Sequence, residues 1–137
     1  MTTLALLTTC TAVWTLHGDD PRVSGRARTA VRTALGNLPQ PLVNDATIVA
    51  SELVTNAARY TRSADPGGLV ALAGPTVKIS VLDEGAVGGA VPTCSPADRL
   101  NSGWGLSMCA ELGALTVQPV AAGHLVSVAL DVLEAAR

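Results

Sequence analysis

Ser51-Glu52-Leu53-Val54-Thr55-Asn56-Ala57-Ala58-Arg59-Tyr60 places a carboxylate and a carboxamide four residues apart within an apolar helical pattern. At that spacing Glu52 and Asn56 share one side of a helix, one turn from each other. An Asn side-chain oxygen suits Mg²⁺, a hard cation that takes oxygen donors and keeps several waters. A neighbouring carboxylate can orient or deprotonate a nucleophile. Taken alone, the same ten residues also fit an ordinary polar helix surface.

Upstream, Val43, Ala46, Ile48, Val49, Leu53 and Ala57 fall on one broad stripe, which predicts a helix from about Leu42 to Tyr60. Gly36, Asn37, Pro39 and Pro41 are expected to separate it from an earlier helix. That earlier helix is signalled by Asp19, Asp20 and Pro21, an acidic cap with Pro in the first turn. Val23, Ala27, Ala30, Val31 and Ala34 give it helical spacing through Leu35. Arg22, Arg26, Arg28 and Arg32 mark its solvated side, a face that serves solubility or partner docking. Thr9 to Leu16 reads as a strand.

Downstream, Asp65, Pro66, Gly67 and Gly68 make a break. Strands are expected over Leu69 to Leu72 and Val77 to Leu82, joined by a Gly-Pro turn. Gly85 to Asn101, rich in Gly, Pro, Ala and Ser, reads as a long functional loop. Trp104 to Leu112 reads as a third helix. Leu115 to Val120 and His124 to Leu130 read as a closing hairpin. This order predicts an α+β two-layer sandwich, with helices on one face of a mixed, mostly antiparallel sheet. The whole chain, 1–137, is expected to be one domain.

Two further clusters carry chemistry. Val81-Leu82-Asp83-Glu84-Gly85 ends a strand in an Asp that can accept a hydrogen bond from an exocyclic amine. Gly85 beside it lets a flat base approach the backbone. An acidic strand end is common, so this signal is weak by itself. Ser102-Gly103-Trp104-Gly105-Leu106 opens a helix with glycines, whose exposed N–H groups can hold phosphate. A flexible helix start explains it equally well. Neither a P-loop nor a Rossmann fingerprint is present.

Composition excludes other classes. With two Trp, one Tyr and no Phe, the chain lacks the aromatic platforms that bind single-stranded nucleic acid. A net charge of −2 leaves no electrostatic footprint for DNA or RNA. Cys10, Cys94 and Cys109 form no CxxC and no zinc pattern, and read as reduced thiols. His17 and His124 lack paired ligands. No signal-peptide pattern or membrane-spanning run is seen, so a cytoplasmic location is expected.

In order and spacing, ELVTNAARY, LDEG and GWGL resemble the N box and two G boxes of the GHKL ATPase superfamily, which includes the histidine-kinase ATPase domains. The resemblance covers roughly Asp19 to Leu130 and is closest to small bacterial anti-sigma-factor serine/threonine kinases and stand-alone ATP-binding regulatory proteins of actinobacteria. It implies a Bergerat-type fold with ATP and Mg²⁺ as cofactors. Asn56 would hold Mg²⁺ and Glu52 would be the general base. Asp83 would take the adenine amino group with Gly85 beneath the base. Gly103, Gly105 and Leu106 would shape the phosphate end, and Ala86 to Ser102 would be the lid.

The resemblance further implies a homodimer that sequesters a sigma factor and phosphorylates an anti-sigma-factor antagonist, with no nucleic acid or membrane as partner. The chain departs from the family pattern at Val87, where a second glycine is usual, at Tyr60, where His is frequent, and at Trp104 between the glycines. Val87 and Trp104 motivate the alternative, a non-catalytic regulatory protein that acts by partner sequestration.

Overall fold

The structure, a computed structural model, describes residues 8–15, 21–60, 67–73, 75–83, 104–120 and 123–132. Its elements run β1 (Thr8–Thr15), α1 (Val23–Leu35), α2 (Gln40–Tyr60), β2 (Gly67–Ala73), β3 (Thr76–Asp83), α3 (Trp104–Leu112), β4 (Ala114–Val120) and β5 (Gly123–Asp131). The strands form one five-stranded sheet in the order β1-β2-β3-β5-β4. The sheet expected from sequence is mostly antiparallel, and every described pairing is antiparallel. The sheet is built from the hairpins β2–β3 and β4–β5, and β3 and β5 join them antiparallel at its centre.

Alternation along the strands decides which face is buried. Val77, Ile79 and Val81 of β3 lie on one face, in register with Leu130, Val128 and Val126 of β5 and with Leu72, Val70 and Gly68 of β2. The described valine, isoleucine and Leu130 side chains of this set are buried in the core with Val31, Leu35, Leu42, Val49, Leu53 and Val54 from the helices. The layer expected from sequence, helices on one side of the sheet, is thus realised by β-branched residues facing leucine- and alanine-rich helices. α2 occupies the middle of the helical layer, packing against both α1 and α3 as well as β3.

Three boundaries differ from the sequence expectation. α1 begins at Val23 with Arg22 as its cap residue and no side-chain capping bond, so Pro21 lies in the turn before it. Asp19 and Asp20 lie outside the described residues. Pro41, expected in the turn, is the second residue of α2; proline is tolerated there because first-turn N–H groups have no partner within the helix. Gly67 and Gly68, expected as a break, pair with Leu82 and Val81 as the start of β2. Among the described residues, no helix is long and apolar enough to cross a membrane.

Candidate functional site

α2 carries both side chains expected to do chemistry. Its buried side is set by Leu42, Ala46, Val49, Ala50, Leu53 and Ala57. Glu52 and Asn56 sit on the stripe beside Val49 and Leu53, both half-buried. Cys109 of α3 is fully buried, and its thiol is pushed up to about 12, chiefly by burial and further by the negative charge of Glu52. The Glu52 carboxylate therefore lies within electrostatic reach of α3, although 57 positions separate Glu52 from Cys109 in the chain.

The remaining expected residues are placed unevenly. Asp83 is the last residue of β3, where its backbone pairs with His124 of β5. Gly105 and Leu106 lie in the first turn of α3, whose opening N–H groups have no partner within the helix. That turn holds no acidic side chain to offset the positive end of the helix dipole. Gly85, Gly103 and the lid expected over Ala86 to Ser102, Val87 included, lie outside the described residues.

The donor set fits Mg²⁺ arriving with a nucleotide better than a resident metal ion. Among the described residues no group of three or more His, Cys, Asp or Glu could hold a metal. Mg²⁺ needs no such cage: it keeps its waters and is held by one or two protein oxygens plus substrate phosphates. Asn56 would offer such an ion a neutral oxygen, with the Glu52 carboxylate one turn away.

Sequence inspection overlooked one feature beside the site. Arg28, assigned there to the solvated side of α1, is half-buried, and its Nη1 donates to Ser51 Oγ at 3.0 Å. Arg22, Arg26 and Arg32 are exposed as expected. The available signal was positional: Arg28 follows Ala27 at the border of the apolar stripe, where a long side chain can reach a neighbouring helix.

A family model described as a histidine kinase-like ATPase domain matches residues 19–118. Comparison with curated proteins finds no match.

Proposed function

This chain belongs to the histidine kinase-like ATPase domain family, and we propose that it is a regulatory module that binds ATP with Mg²⁺ and acts by holding a partner protein. The observation that carries the proposal is the packing of α2 on α3, with the Glu52 carboxylate of α2 near enough to act on the buried Cys109 of α3, the helix whose first turn holds Gly105 and Leu106. In this reading Asp83 at the end of β3 accepts from the adenine amine, with Gly85 under the base. Gly103, Gly105 and the first-turn N–H groups of α3 receive the phosphates. Asn56 holds the ion; bound Mg²⁺ neutralises phosphate charge and fixes phosphate geometry. Val87 and Trp104, the departures from the family pattern, speak against kinase turnover and so favour the holding role. The partner proposed from the resemblance is a sigma factor or its antagonist, bound by a homodimer in the cytoplasm.

Glu52 favours a second reading. A carboxylate beside the ion-holding Asn is placed to accept the proton of an attacking serine or threonine hydroxyl, which would make the protein an anti-sigma-factor serine/threonine kinase. Nucleotide occupancy and turnover measured on one sample separate the two. Bound ATP recovered intact in the presence of a serine-bearing antagonist supports the holding module. Phosphate transfer that disappears in Glu52→Gln supports the kinase. A chain that takes up no nucleotide refutes both.

A further inference from the structure

We propose that Arg28 is a positioning residue for the nucleotide site: clasped to Ser51, it sets the rotation of α2 and so the direction in which Glu52 and Asn56 point. The inference rests on the proposal above that α2 carries the Mg²⁺-binding Asn.

The surface that α1 buries consists of Val23, Ala27, Val31 and Leu35. Small aliphatic contacts of this kind reward buried area and tolerate sliding and rotation, because dispersion has no direction. The Arg28 bond differs. Its donor is charged, its geometry is directional, and it is partly withdrawn from water, where such a bond is stronger than a neutral one. The guanidinium also lies back over its own helix: a Cβ at Gly25, three residues earlier, would be 3.4 Å from Nη2. Arg28 thus has one nitrogen over the bare backbone at Gly25 and another on α2.

Ser51 and Glu52 are consecutive, so about 100° of helix rotation separates their directions. The clasp therefore holds one side of α2 toward α1 while Glu52 and Asn56 emerge on the side toward α3. Rotation of α2 that the clasp resists is rotation that would turn the Asn56 oxygen away from phosphate-bound Mg²⁺ and carry the Glu52 carboxylate with it. The adenine end, assigned to Asp83 on β3, is not carried by α2. Loss of the clasp should therefore weaken the part of nucleotide affinity that depends on Mg²⁺ and spare the part that does not.

The test compares ATP affinity with and without Mg²⁺ for the wild type, Arg28→Met, Arg28→Lys, Ser51→Ala and the Arg28→Met/Ser51→Ala double variant, with a thermal unfolding midpoint for each. Arg28→Met and Ser51→Ala are each expected to lose roughly tenfold in affinity with Mg²⁺, the scale of one charge-assisted hydrogen bond. Affinity without Mg²⁺ should stay at the wild-type level. The double variant should be no worse than Arg28→Met, the mark of a shared interaction, and Arg28→Lys should recover part of the loss. If Arg28→Met does not fold, Ser51→Ala carries the test alone. Equal losses with and without Mg²⁺ that track the unfolding midpoint would overturn the inference in favour of a purely structural clasp, as would no loss at all. A wild type that binds no ATP would overturn the proposed function first, and this inference with it.

Discussion

At the scale of single residues, two glycines in this chain have opposite reasons for being there. A Cβ on Gly113, between α3 and β4, would overlap the carbonyl oxygen of Ala129 and lie 2.9 Å from Leu130 Cδ2 and Val128 Cγ1. Backbone cannot yield cheaply, so Gly113→Ala is expected to cost about 2 kcal/mol or more in urea unfolding. Among the described residues, a Cβ on Gly25 in α1 would meet Arg28 Nη2 alone, at ordinary contact distance. Gly25→Ala should therefore stabilise by about 0.5–1 kcal/mol through helix propensity and a less free unfolded chain. Cys109 supplies a pH prediction. Its thiol stays protonated in the fold up to about 12, against an ordinary value of 9.0 once unfolded. Between those values the unfolded state binds fewer protons, so stability falls as pH rises through that window. Below it, this group contributes no slope. The difference in unfolding free energy between wild type and Cys109→Val should be flat below pH 9 and shift against the wild type above it. A flat difference throughout would remove Cys109 from the core as described.

At the scale of elements, the apposition of α2 and α3 makes its own prediction. The negative charge of Glu52 adds to burial in raising the Cys109 thiol, so Glu52→Gln should lower that thiol's pKa, read from thiolate absorbance on alkaline titration. An unchanged titration would mean that the two helices do not meet at these residues. The strands offer a second. Ser80 of β3 and Ser127 of β5 are register partners on the face away from the helices, buried and hydrogen-bonded to each other at 2.8 Å. Removing one hydroxyl strands the other, so Ser127→Ala should cost about 1–2 kcal/mol, and the double Ser80→Ala/Ser127→Ala should cost less than the sum of the singles.

What was legible in the sequence follows from the same physics. The stripe Val43, Ala46, Val49, Leu53 and Ala57 announced α2 because a helix of its length repeats its pattern many times; Ile48, expected on the same stripe, is exposed instead. Trp104 to Leu112 was found by its glycine start. Boundaries were less visible: Pro41 and Gly68 look like breakers in a local window, yet a first turn accepts proline and a paired strand accepts glycine. Glu52, Asn56 and Asp83 were proposed from motif order, and their roles await the binding tests. The packing that brings Glu52 within electrostatic reach of Cys109, and the reach of Arg28 to Ser51, depend on how three helices lie together, which no local pattern records.

At the scale of the whole molecule, one antiparallel sheet backs a helical layer in which α2 is held from both sides, by α1 through Arg28 and by α3 at Cys109. β3, pairing with β2 and β5 inside the sheet, ends at Asp83. The proposed site would draw its adenine contact from the sheet and its ion contact from the middle helix, so the two should fail separately. Calorimetry of ATP with and without Mg²⁺, on the wild type, Asp83→Asn and Asn56→Ala, tests that division directly. Micromolar binding by the wild type is expected, on the scale of about −8 kcal/mol. Asp83→Asn should lose it under both conditions, and Asn56→Ala only where Mg²⁺ is present. A wild type that binds no ATP, or variants that bind as it does, would contradict a nucleotide site built on α2, α3 and the end of β3.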